Sequence, residues 1–321
     1  MLNINDTLQS EQLLPFLLLV LVLAVERFLP WPDKYHPLSF IKALATGMAN
    51  KVLTNEEQPI GQQKLSGSLA IFVLLLPIAA MLGVLKYLSH YPIFFETMML
   101  LVALRFQNIV KQTHKVKNAL KVQKKMLARH ALSQIVLRDT DKMSAMGMVK
   151  ANVEALLLRF SFEYCAVIFW YCLAGGAGAL IYRMVYELSL CWNNKLTRFT
   201  HFGLPIRYLV NLLQWIPNKL AVISVLIAVN INQGVNAIFQ RTSYQCEHLF
   251  ILNVCGASLG IQLGGPAIYQ QKKVRIQKCG GAREVILADD TRTLSAINRA
   301  TWIWMSVYLI GSAVSFLLAA Q

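Results

Sequence analysis

Long uncharged apolar runs, separated by stretches rich in lysine and arginine, set the pattern of this chain. Leu65–Leu85 and Ala300–Ala320 contain no charged side chain. About 20 apolar residues wound as a helix cross a hydrocarbon core of roughly 30 Å, and in lipid only a closed hydrogen-bond ladder satisfies the backbone. Both runs therefore predict spanning helices. Tyr164–Tyr182 is likewise uncharged and predicts a third, continuing past Arg183 if that arginine faces protein or the interface. Leu13–Phe28, which ends in Glu26 and Arg27, and Ile206–Val229, which contains Pro217 and Lys219, predict two more. Their polar residues require one face packed on neighbouring helices. Pro92–Leu104 is short for a crossing and holds Glu96, which predicts a re-entrant or tilted element. The pattern thus gives an all-α, polytopic membrane protein of five or six transmembrane helices in a single domain, 1–321. Its spans lie near 13–28, 65–85, 164–182, 206–229 and 300–320.

Residues 105–136 contain no proline or glycine, and Phe106, Ile109, Val110, Val116, Leu120, Leu127, Ala131 and Ile135 recur at helical spacing among lysines. This predicts one basic amphipathic helix, either lying on an anionic membrane surface or packing its apolar stripe on the protein. Composition agrees with the membrane reading: 56% of the residues are hydrophobic and 15% charged. Of the 31 lysines and arginines, 12 fall between Arg105 and Arg159 and eight between Arg241 and Arg299. The positive-inside rule then places segments 105–163 and 230–299 in the cytoplasm and the C-terminus outside. Residues 1–12 carry no Lys or Arg and no small-residue cleavage pattern follows, so the first helix is expected to be retained. The basic excess is what topology requires and no recognition motif accompanies it, which argues against a nucleic-acid partner.

Candidate chemistry is sparse. The common phosphate-loop, zinc-protease and serine-hydrolase motifs are absent, the six histidines have no ligand spacing, and the six cysteines form no C-x-x-C pair and read as structural thiols. Three stretches remain. In Gly256–Tyr269 (GASLGIQLGGPAIY), Gly256, Gly260 and Gly264 recur every four residues. They either let helices approach closely or, through Gly264 and Gly265, break the helix and present amides to an anionic ligand beside Gln262. In Arg138–Asp139–Thr140, Asp139 serves either as a helix N-cap or, with Asp141, as a magnesium ligand. Glu154, close behind, needs a partner, for which Arg159 is a candidate. Gly175–Gly176–Ala177–Gly178, followed by Tyr182 and Arg183, reads as a small-residue packing face with a cation at the interface.

These stretches, in this order, resemble the CobD/CbiB family of cobalamin-biosynthesis membrane proteins. The resemblance covers most of the chain and is strongest at Gly256–Tyr269. It continues in Ile135–Thr140 with Val153–Glu154, in Gly175–Ala177 with Tyr182–Arg183, in Trp215–Leu220, in Asp290–Trp304 and in Trp31–Pro37. It implies a multi-pass inner-membrane ligase, adenosylcobinamide-phosphate synthase, which joins adenosylcobyric acid to an aminopropanol phosphate using ATP and Mg2+. The matching positions imply Glu154, Asp139 and Arg138 as catalytic residues. They imply Thr140, Arg183, Gln262, Gly264, Gly265 and Pro266 as contacts to ligand and phosphate, and Asp139 with Asp141 at the metal. The expected partners are membrane lipid, a corrinoid substrate where activity is retained, and a second copy or other cobalamin-pathway membrane proteins. The chain departs from the family pattern after Glu154, where Leu157–Glu163 keeps one acid, Glu163, and at Tyr186–Leu190, where polar residues are lost. Val22–Phe28, Phe160–Trp170 and Trp215–Pro217 also resemble AmpE, which implies the alternative of a non-catalytic inner-membrane sensor.

Overall fold

The protein, as a computed structural model, is described over residues 4–28, 31, 36–53, 59–194, 196–239, 247–269 and 272–319. Helices α1 (Ile4–Phe28), α2 (Pro37–Val52), α3 (Ile60–Leu88) and α4 (Pro92–Ala103) are followed by α5 (Phe106–Lys121) and α6 (Lys125–Ser133). Helix α7 (Ala145–Arg159) runs through a π-helical turn, Phe160–Cys165, into α8 (Ala166–Cys191). Then come α9 (Leu204–Ala228), α10 (Ile231–Phe239), α11 (Glu247–Leu259), strands β1 (Gln262–Tyr269) and β2 (Lys272–Gly280), and α12 (Ala288–Ala319). Among the described residues the architecture is all-α apart from one antiparallel hairpin, β1–β2.

Among the described residues, four segments are long and apolar enough to cross a bilayer: 60–88, 92–121, 145–191 and 204–228. Along α3, Leu65, Leu69, Phe72, Val73 and Leu76 are all more than half exposed, whereas Gly67, Ala70, Ile71 and Leu74 are buried. A surface so apolar costs roughly 25 cal/mol per Å² in water and is stable only against lipid or another apolar partner. This is a membrane protein.

The uncharged run 164–182 is not one straight helix. Residues 163 and 183 of an unbroken helix would stand about 30 Å apart at 1.5 Å per residue. Instead Arg183 Nη2 lies 3.2 Å from Glu163 Oε2, and Tyr182 donates a hydrogen bond to the Phe162 carbonyl at 2.7 Å. The reversal occurs at Gly175, whose φ of 68° and ψ of −166° leave helical geometry. Glycine is required there because L side chains rarely adopt such a φ, and at Gly176 because a Cβ would collide with the Glu96 carbonyl of α4. The Gly175–Gly178 face is thus both a turn and a close packing contact. The segment is a helical hairpin, its tip against α4 and its open end carrying Arg159, Glu163, Arg183 and Glu187.

The single amphipathic helix expected over 105–136 is also divided. Backbone φ at Gln123 is 57°, and α5 and α6 meet there at an angle, burying Phe106, Ile109, Val116, Ala128 and Leu132 against the rest of the fold. Helix α4 covers most of 92–104 and packs along α8, burying Met99, Leu100, Val102 and Ala103. Its Glu96 forms an ion pair with Lys86 of α3. Cys165 and Cys255 are buried, Cys172 is exposed, and Cys191 and Cys279 are half-buried. Cys246 lies outside the described residues, as does most of Trp31–Pro37.

Candidate functional site

The glycine-rich stretch does not continue α11. The helix stops at Leu259, Gly260 takes a φ of 69°, and the chain turns into β1, where Gly264 (φ 75°) and Gly265 (φ 101°) form an irregularity opposite β2. A Cβ on Gly264 would strike the Gln277 carbonyl of β2, so glycine is needed for the two strands to close. The chain breaks as the helix-breaking reading requires, and the amide it frees meets an anion of the protein itself. Gly264 N–H donates to Glu154 Oε1 at 2.7 Å.

Glu154 is 2% exposed on α7, and its other oxygen pairs with Arg138. Arg159, the partner expected from sequence, binds Glu163 instead. Asp139 is not a helix cap: Ser144 caps α7 by accepting from Gly147 N–H at 3.1 Å. The Asp139 amide donates to the Ile268 carbonyl at 2.9 Å, which attaches the loop before α7 to the outer edge of β1. Burial alone would lower the Arg138 pKa, but the adjacent Glu154 carboxylate outweighs it and holds the guanidinium above its ordinary value. Two segments 110 residues apart in sequence are therefore joined by one carboxylate.

Against this joint lies a cavity of about 620 Å³ lined by Asp139, Asp141, Lys142, Met143, Pro266, Ala267 and Ile268. Thr140 is buried beside it and its carbonyl accepts from Met143 N–H. Gln262 is half-buried at the start of β1, its amide donating to the Arg283 carbonyl at 2.7 Å. Lys150 of α7 reaches within 3.7 Å of the position a Gly265 Cβ would take. Of the residues singled out from sequence, the structure thus gathers Arg138, Asp139, Thr140, Asp141, Glu154, Gly264, Gly265 and Pro266, with Gln262 at the margin.

Arg183 is not among them. It stands at the open end of the α7–α8 hairpin, where a second cavity of about 250 Å³ is lined by Lys42, Arg105, Arg159, Arg183, Glu163 and Glu187 together with segment 133–137. Arg183 Nη2 donates to Glu187 Oε1 at 2.7 Å, and Lys42 Nζ lies 3.2 Å from Glu187 Oε2. Lys42, Arg105 and Glu187 carry no motif of their own. For Glu187 the signal was the repeated spacing Arg159-x-x-x-Glu163 and Arg183-x-x-x-Glu187, which puts one ion pair on each limb of a hairpin, whereas Lys42 and Arg105 carry none.

A family model described as CobD/Cbib protein matches residues 19–298. The chain is 27% identical to the cobalamin biosynthesis protein CobD of Chromobacterium violaceum over 91% of this chain and 95% of that protein. It is 24% identical to the protein of the same description from Stutzerimonas stutzeri, over 92% and 97% of the two chains. For that of Sinorhizobium fredii the identity is 26%, over 88% and 92%. No solved structure matches. The match over nearly the whole chain, with the glycine-rich strand, Arg138 and Glu154 meeting in one place, establishes that this protein belongs to the CobD/CbiB family.

Proposed function

We propose that this protein acts in cobalamin biosynthesis as an inner-membrane amide ligase of the adenosylcobinamide-phosphate synthase type, joining adenosylcobyric acid to an aminopropanol phosphate. The observation that carries the reading is the Glu154 joint, through which the segments matching the family are held together beside a cavity. The names of the relatives supply the pathway.

ATP and Mg2+ would activate the corrinoid carboxylate for attack by the amine. Among the described residues no three His, Cys, Asp or Glu side chains gather as a metal cage. Magnesium needs none, since it commonly takes one or two carboxylates and completes its shell with phosphate oxygens and water. Asp139 and Asp141, with the cation Lys142 on the same cavity wall, fit that demand. Glu154 fits it poorly, because both of its oxygens are already engaged. Its role is to hold Arg138 and the β1 turn in place, so it is a positioning residue. The basic segments 105–163 and 230–299 would face the cytoplasm, where the nucleotide is available.

Complementation tests the reading. Expressed in a strain lacking its own synthase, the chain is expected to let adenosylcobyric acid support growth, and Asp139→Asn with Asp141→Asn is expected to abolish rescue at unchanged membrane abundance. A well-inserted wild-type chain that gives no rescue would overturn the ligase and leave a non-catalytic membrane role.

A further inference from the structure

Helices α3 and α9 enclose a groove of about 400 Å³ between Ser68, Phe72, Leu76 and Ala79 on one side and Pro205 and Leu209 on the other. Its one hydroxyl is occupied, because Ser68 donates to the Lys64 carbonyl at 3.1 Å. The groove therefore offers an occupant apolar contact alone. At one end Gly67 pins α3 to the chain just before α9, since a Cβ there would strike the Phe202 carbonyl. Beyond that contact Ser68, Ala79 and Pro205 are too small to close the gap. Protein interiors are close-packed, and an unfilled apolar gap of this size forfeits dispersion contacts along its whole lining.

We infer that this groove holds one acyl chain of an anionic phospholipid from the cytoplasmic leaflet. Length selects a lipid chain: Ser68 to Ala79 covers about 16 Å at 1.5 Å per residue, close to one leaflet of a hydrocarbon core of roughly 30 Å. Width excludes a helix of a second copy. Spread over that length, the volume gives a mean width of about 5 Å, half the roughly 10 Å diameter of a helix. Charge selects the headgroup. Lys64 is exposed and precedes Ser68 by one helical turn, so it lies on the groove's face of α3. Segment 188–207, which flanks the same end, contains Lys195, Arg198 and Arg207 and no aspartate or glutamate, and Arg198 is exposed. An anionic headgroup gains about fivefold in affinity for each such cation near the bilayer surface. Phe202 packs on Trp192, beyond the open end of the hairpin, which is the end shared with the basic segment 105–163. At the other end of α3, Lys86 is paired with Glu96. The inference stands apart from the ligase reading, which needs no lipid ligand.

The test is native mass spectrometry of the purified full-length chain in detergent, titrated with phosphatidylglycerol and with phosphatidylcholine of the same acyl chains. Saturable binding of one phosphatidylglycerol per chain is expected, about tenfold or more tighter than phosphatidylcholine. Ala79→Phe, which fills the groove, should weaken the tight lipid about tenfold. Lys64→Gln should weaken phosphatidylglycerol about fivefold and leave phosphatidylcholine unchanged; it alters an exposed side chain, so it reads the site even where the groove-filling variant misfolds. Equal affinity for the two lipids, with no effect of Lys64→Gln, overturns the anionic headgroup. Tight phosphatidylglycerol binding that a folded Ala79→Phe chain retains overturns the groove as its seat. A dimer that Ala79→Phe converts to monomer, with no saturable lipid, overturns the lipid in favour of a second copy.

Discussion

The Arg138–Glu154 joint and the hairpin cluster of Arg159, Glu163, Arg183 and Glu187 both bury opposite charges. They differ in which partner is left wanting. At the joint the carboxylate is saturated, by a guanidinium on one oxygen and the Gly264 amide on the other. In the cluster Glu163 is paired through both oxygens, whereas Glu187 Oε2 and the Nε and Nη1 of Arg183 lack a hydrogen-bond partner among the described residues. A fully paired anion holds structure, whereas a cluster with donors and an acceptor to spare is held less tightly. The same residue types thus form a closed clamp in one region and an incompletely paired network in the other.

The largest expected effect comes from breaking the clamp. Glu154→Gln leaves Arg138, itself mostly buried, without its counter-charge, and removal of one partner of a buried pair typically costs about 3–5 kcal/mol. Thermal unfolding in detergent should show a correspondingly large drop in midpoint, together with loss of proteolytic protection around β1. A variant as stable as the parent would mean that Glu154 is held for chemistry and not as a joint.

Another buried carboxylate sharpens the contrast because, among the described residues, no cation pairs with it directly. Asp290, at the start of α12, is fully buried and accepts one hydrogen bond from Asn152 at 3.0 Å. Burial drives its pKa up to about 7 against the opposing Asn152 bond. The folded form therefore holds a proton that the unfolded chain releases near its ordinary value of 3.8. This stabilisation is complete below about pH 4 and is lost as pH rises through 7. Between pH 6 and 8 the loss should be about 1.4 kcal/mol, and Asp290→Asn should flatten that slope. A melting midpoint independent of pH in the parent over that range would place Asp290 with the charge-paired carboxylates.

Much of the helical scaffold was legible. Apolar length alone marks α3, α9 and α12, because a run such as 65–85 has no other stable form in lipid. The reversal at Gly175 was not, since hydropathy measures length and polarity and cannot register one residue with positive φ. The signal lay in the glycines 175–178, which support packing and turning equally well. The β-hairpin escaped for a related reason: Gly264 and Gly265 announce a break, but the strand pairing that follows depends on β2, whose exposed KKVRIQK reads as a charged loop. At the site, Arg138 and Glu154 were visible as a motif, whereas Lys42 and Arg105 come to line the cavity beside Arg183 only through the tertiary fold.

The mildest test acts on the hairpin cluster. Glu187→Gln removes a carboxylate that is 1% exposed, as buried as Glu154, but Arg183 keeps Glu163 as a counter-ion and the amide oxygen can still accept its Nη2 proton. The expected cost is about 1 kcal/mol, well below that of Glu154→Gln. Unfolding midpoints of the two variants read the difference. A stability loss equal to that of Glu154→Gln would make the cluster a second clamp.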